Sequence, residues 1–210
     1  MYKSAKFWDR AADKYAASPI RNQEAYEATL EQMRTLLSPN DTVLELGCGT
    51  GTTAIALAPS LGHITATDVS DAMLDKGREK AEAAGTTNVD FVQSDAADAP
   101  AGPFDAVLAM NLLHLLEDLD GALAEIDKRT KPGGLFISKT FCMPAKSSVI
   151  WWVIQFALPV MQAIGKAPYF KKLSAADLDA AITRAGFTIL ETQMAPGKDP
   201  RRTVIARKIN

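Results

Sequence analysis

Cysteine is nearly absent: Cys48 and Cys142 are the only two in 210 residues, too few for a disulfide framework. They show no metal-ligand spacing either, so both read as reduced thiols and no metal is expected. Charge of one sign is also lacking. The formal net charge of −2 offers no field that would draw the chain to nucleic acid. No apolar stretch is long enough to span a bilayer, the longest being the twelve residues Val149–Val160 with Gln155 inside it. The opening residues Met1-Tyr-Lys-Ser-Ala-Lys-Phe-Trp8 lack the apolar core of a signal peptide, so a cytoplasmic location is expected. There is no internal repeat and no low-complexity linker. With 47% hydrophobic and 23% charged residues, the chain is expected to form one domain over 1–210.

What is present is a glycine turn set between a strand and a helix. Thr42-Val-Leu-Glu-Leu46 reads as a buried parallel strand, Gly47, Gly49 and Gly51 as the turn, and Thr52–Leu61 as a helix rich in Ala and Leu. This arrangement presents backbone N–H groups and the positive end of a helix to a ligand, with no Cβ in the way. The glycines run Gly-x-Gly-x-Gly, and Thr52 occupies the last position of the dinucleotide fingerprint Gly-x-Gly-x-x-Gly. Glu45 sits two residues before the first glycine. A carboxylate there repels a pyrophosphate and suits a ligand with an ammonium group.

Downstream, His63-Ile-Thr-Ala-Thr-Asp68 reads as a second strand ending in an acid, 21 residues past Gly47. That spacing suits hydrogen bonds from a carboxylate to a ribose diol, although Asp68 could equally be a surface acid or cap the helix Ser70–Ala84. A third strand, Val89–Gln93, leads into Ser94-Asp95-Ala96, with Asp98 as a rival acid. Phe104–Met110 is apolar enough for a central strand and continues into Asn111-Leu-Leu-His114.

The segment Glu45-Leu-Gly-Cys-Gly-Thr-Gly51 resembles motif I of the class I S-adenosylmethionine (SAM)-dependent methyltransferases, E/D-x-G-x-G-x-G. The region after Met110 is similar to motif IV, and Lys131-Pro-Gly-Gly134 to the family's turn into strand five. The resemblance covers about residues 40–140, and looks nearest to the small-molecule branch that includes ubiquinone/menaquinone biosynthesis methyltransferases. It implies SAM as cofactor, with S-adenosylhomocysteine (SAH) as product. The contacts it implies are Glu45, Gly47, Gly49, Thr50 and Gly51 at the loop, Asp68 on the ribose, and Val69, Met73, Asp95, Ala96 and Asn111 around the adenine and beyond.

The acceptor side shows no motif. An amphipathic helix over residues 4–17 carries Phe7, Trp8, Ala11, Ala12 and Tyr15 on one face, and a second covers about 23–37. These residues, 1–38, form either a cap over the site or a face packed on the domain. Trp8 and Tyr15 are the candidates to reach substrate, and Tyr15 with His114 the candidates for catalysis; His114 could as well be a core histidine. Lys139, at the end of the strand Leu135–Thr140, either faces substrate or snorkels to solvent. Residues 141–173 read as an inserted lid, with Pro159 as a bend and Trp151 and Trp152 toward substrate. A buried helix and a membrane-surface contact, flanked by Lys146, Lys166, Lys171 and Lys172, are the other readings of the same segment.

Ser174 with Asp177 starts a helix that Gly186 stops. Phe187–Met194 and Thr203–Lys208, joined by a short loop, must then pair antiparallel. The expected fold is a doubly wound, Rossmann-like α/β sheet of order 3-2-1-4-5-7-6 with strand seven reversed. The expected reaction is methyl transfer from SAM to a small, partly hydrophobic acceptor. A membrane lipid as acceptor, a non-catalytic SAM-binding module and a NAD-dependent oxidoreductase are the alternatives.

Overall fold

Alternation at period two decides what each strand buries. In the computed structural model, which describes residues 4–143, 157–162, 164–196 and 199–209, seven strands form one sheet. They are β1 (Thr42–Leu46), β2 (His63–Asp68), β3 (Val89–Gln93), β4 (Phe104–Met110), β5 (Thr130–Phe141), β6 (Phe187–Met194) and β7 (Arg201–Lys208). The order is β3-β2-β1-β4-β5-β7-β6. The first five are parallel, and β7 runs antiparallel to both β5 and β6, as the short loop requires.

Successive side chains leave opposite faces of the sheet, and each face has its own core. Leu44, Val107, Phe136 and Val204 bury one face beneath α5 (Leu119–Arg129) and α6 (Ala175–Arg184). Val43, Leu108, Ile137 and Ile205, one residue out of phase, bury the other beneath α2 (Gln23–Leu36), α3 (Thr52–Leu57) and α4 (Asp71–Ala83). The central strands are therefore apolar on both sides. α1 (Ala5–Ala17) packs on α4.

Caps fall where the sequence places them. Ser70 accepts from the Met73 N–H, and Ser174 with Asp177 forms a full capping box. Boundaries differ in three places. The helix expected to reach Leu61 gives way after Leu57 to a 3₁₀ turn, because Pro59 cannot continue the N–H ladder. Lys131–Gly134, expected as a turn before the strand, lies within β5, where the register against β4 shifts between Phe104 and Ala106. β7 starts at Arg201 rather than Thr203, which brings Arg201 to the sheet end. Trp151, Trp152 and Lys146 fall outside the described residues. Among the described residues no helix is long and apolar enough to cross a membrane.

Candidate active site

The loop after β1 is built from left-handed backbone: Gly47, Gly49 and Gly51 have φ of 63°, 55° and 68°. Their roles differ. At Gly49 a Cβ would meet only the Tyr15 ring, 3.7 Å away, so that position opens to the space above the sheet. At Gly51 a Cβ would stand 2.6 Å from the Phe91 ring, which makes this glycine a packing contact between the loop, β3 and α4. Gly51, expected among the cofactor contacts, lines neither cavity described below.

Two cavities meet at this loop, sharing Tyr15, Gly47, Met110 and Asn111 in their walls. The first, about 340 Å³, holds Gly49, Asp68, Val69, Met73, Asp95 and Ala96. Those six residues come from three separate stretches of the chain, and the parallel sheet order brings them together. Trp8 closes the same cavity from α1. The second, about 470 Å³, contains Glu45, Thr50 and Lys139. His114 lines neither.

Asp68 is held by backbone. Its Oδ2 accepts the Gly49 N–H at 2.9 Å and its Oδ1 the Ser70 N–H at 2.9 Å. Burial raises the Asp68 carboxyl above the usual carboxylate range, against those N–H groups, which favour the charged form. Each oxygen retains lone-pair capacity toward the cavity. Asp95 Oδ1 accepts from the Ala97 and Asp98 N–H groups at 2.9 and 2.8 Å, fixing its turn; Asp98, the rival acid, is off the cavity wall.

Glu45 is 1% exposed, and its Oε2 has no hydrogen-bond partner. Desolvation pushes its pKa up to about 8, with only the Ala54 N–H pulling it down and the Asp68 charge raising it further. An orphaned buried carboxyl oxygen facing a cavity is the mark of a group awaiting a donor. Tyr15 is 51% exposed, yet burial around its ring and the Asp68 and Glu45 charges raise its pKa, so its hydroxyl is a donor and not a base at neutral pH.

His114 is packed away from this space. Its ring lies 5.3 Å from Phe170 and 6.0 Å from Phe141, centroid to centroid, and burial lowers its pKa to about 4. Leu113–Leu115 turns as a 3₁₀ segment and aims the imidazole at this aromatic cluster. Of the two side chains expected to do proton chemistry, the geometry brings only Tyr15 to the cavities.

α1 is tied down over the first cavity. Ser70 Oγ donates to Asp9 Oδ1 at 2.7 Å, Lys76 pairs with Asp13 at 3.3 Å, and Arg10 reaches the Gly165 carbonyl at 3.2 Å. Asp9, Lys80, Asp199 and Arg201 escape sequence reasoning, because nothing local signals a residue that meets the site from 30 or more positions away. Only the Ser70 cap hints at its own position.

The order reverses between β1 and β4, and in open α/β sheets ligands bind at that switch point. Together with the reversed β7, the glycine loop and acids ending β1 and β2, this defines a Rossmann-like SAM-dependent methyltransferase fold. The residues fit the cofactor: a cavity of drug-like size, the open Gly49, the Asp68 carboxylate and the orphaned Glu45 oxygen.

Comparison with known proteins agrees. Residues 43–134 match the family described as "Methyltransferase domain". A demethylmenaquinone methyltransferase of Clavibacter sepedonicus is 40% identical over 105 residues, 49% of this chain and 42% of that protein. The cyclase SpnF superposes with a TM-score of 0.79 at 20% identity, covering 98% of this chain and 94% of its own. Magnesium protoporphyrin IX methyltransferase from Synechocystis PCC 6803, solved with bound SAH, gives 0.72 at 19%, covering 99% and 96%. Residues 43–134 thus match the methyltransferase family, and the chain as a whole shares the fold of the solved methyltransferases. It spans less than two thirds of the length of the curated relatives it matches.

Proposed function

We propose that the chain transfers the methyl group of SAM to a small, partly apolar acceptor. The observation that carries this reading is the junction of the two cavities at Tyr15, Gly47, Met110 and Asn111. A cofactor whose adenosine lies along Asp68, Val69 and Asp95 reaches the second cavity only by crossing that junction. An acceptor entering from the second cavity meets it there. The partial match to a demethylmenaquinone methyltransferase supports an acceptor with an apolar body.

When bound, the cofactor supplies an already activated sulfonium methyl. The chain's own contribution is then alignment and exclusion of water. Asp68 and the Gly49 backbone fix the ribose end, and Glu45, deprotonated on binding, holds an ammonium. Asn111, at a φ of 59° immediately after β4, is clamped by its N–H to the Lys139 carbonyl at 2.6 Å, which sets the edge the methyl faces. Trp8 and Tyr15, stacked edge to face at 6.4 Å, form a cap that keeps water off that edge. Residues 4–38 act as this cap within a single domain.

The test is SAH formation on presentation of an acceptor pool of quinols and other hydroxylated aromatics, run beside a variant lacking residues 1–18. Turnover by the full chain and near-complete loss in the folded truncation are expected. SAM binding without turnover on any acceptor would leave a binding module instead. A second reading has its own support: Val160, Met161 and Ile164 are exposed apolar side chains on and just after the helical residues 157–162. Such a patch suits a lipid surface and a membrane-lipid acceptor. Co-sedimentation with anionic vesicles decides between the two.

A further inference from the structure

The ends of four adjacent strands put an unusual row of side chains on one face of the sheet. Glu45 on β1, Met110 on β4, Lys139 on β5 and Arg201 on β7 all share the phase of the Val43–Ile137–Ile205 core, and all line the second cavity. Hydrophobic residues fill that phase deeper in the sheet, so the switch to charge at the strand ends is local to the cavity.

The row is not neutral. Arg201 is committed to Asp199, which receives its Nε at 2.8 Å and its outer nitrogen as well. Lys139 has no such partner. Its Nζ donates to Thr29 Oγ1 at 3.1 Å and forms no ion pair among the described residues. An ammonium carries three donors, and withdrawing it from water without a counter-charge is costly. Burial and the neighbouring Arg201 lower its pKa, only partly opposed by the Asp199 charge. The uncompensated charge at the β5 end of this cavity wall is therefore positive and lies on Lys139.

Besides Arg201, two other cations line the cavity, Arg21 and Lys80; Arg21 is exposed, between α1 and α2, and the position of Lys80 assigns it elsewhere. Lys80 Nζ donates to Thr50 Oγ1 at 2.7 Å and to Thr52 Oγ1 at 3.3 Å, at the glycine loop where the amino-acid tail of the cofactor would run. Lys139 lies two strands from β1, about 10 Å across the sheet. With Arg21 exposed at the rim, Arg201 held by Asp199 and Lys80 at the cofactor end, Lys139 is the half-buried cation left for what enters beside the cofactor.

Resting on the methyltransferase reading, we propose that the acceptor carries an oxyanion, a carboxylate, phosphate or ionised hydroxyl, held by Lys139 against the β4–β5 end of the second cavity. A charge-assisted bond to a half-buried ammonium orients the acceptor, while its apolar part lies toward Met110 and Met33.

The test uses benzoate and its neutral isostere benzamide, titrated calorimetrically into protein saturated with SAH. Benzoate is expected to bind at least about tenfold more tightly than benzamide, the scale of one charge-assisted bond. Lys139→Met and Lys139→Gln should remove that preference while leaving SAH affinity within about twofold. Lys139→Arg should retain it. Equal binding of the two probes overturns the proposal, as does a matched fall in SAH affinity, which would assign Lys139 to the carboxylate of the cofactor. Wild-type protein that fails to bind SAH overturns the methyltransferase reading with it; SAH binding without benzoate preference overturns this inference alone.

Discussion

The two cavities are built by different means. The first is made of backbone: positive-φ glycines, N–H groups aimed at Asp68, and a turn that presents Asp95. The second is made of side chains from α2, four strand ends and the β6–β7 region, with charge set by Lys139, Arg201 and Asp199. Backbone geometry tolerates few sequences, so the cofactor side can resemble its relatives closely. A side-chain wall can be repainted residue by residue, which lets one scaffold serve many acceptors.

Gly49→Val breaks the cofactor side most severely. A branched side chain at a φ of 55°, projecting toward Tyr15, is both strained and in the path of the cofactor. SAH binding should become undetectable by calorimetry while the acceptor side keeps its shape. Asp68→Ala should follow, weakening SAH binding by about 1–3 kcal/mol through loss of charge-assisted acceptors. It also frees the Gly49 and Ser70 N–H groups, so a fall in thermal stability should accompany it.

Glu45 sharpens the comparison through pH. Its folded pKa, about 8, lies above the usual carboxylate value, so its protonated form is what the free protein stabilises. That contribution is fully present below the unfolded pKa and is lost as pH rises through about 8. A ligand ammonium beside Glu45 favours the carboxylate instead. Binding at pH 7 should thus release about one proton, read from calorimetry in buffers of differing ionisation enthalpy. Glu45→Gln should abolish the release.

The smallest effects belong to residues off the cavities. Asp9→Ala removes one hydrogen bond between α1 and Ser70 and should cost about 0.5–1.5 kcal/mol of stability, seen as a lower thermal midpoint. His114→Phe, extending the cluster with Phe141 and Phe170, should leave kcat within about twofold, since the ring touches no cavity. A hundredfold loss would return the imidazole to the reaction.

The strands and the antiparallel pair were legible locally, from the apolar runs, the glycine turn and a connection after β6 too short for a crossover, whereas the sheet order followed only from the resemblance to the methyltransferases. Asp68 and Asp95 were legible as positions, one ending a readable strand and the other two residues past one. Lys139 was found as a charge on an apolar strand, but its company was not. Arg201 and Asp199 reach it through the antiparallel return of β7, and Lys80 reaches Thr50 across thirty residues. His114 stayed open between site and core because sequence places it after a strand end without telling which way a 3₁₀ turn will point it.

The central claim is that the glycine loop, Asp68 and Glu45 form a SAM site. Direct titration of the wild-type chain with SAH, beside NAD under the same conditions, tests it most simply. The account predicts saturable one-to-one binding of SAH and none of NAD. Binding of NAD with no heat from SAH would contradict it.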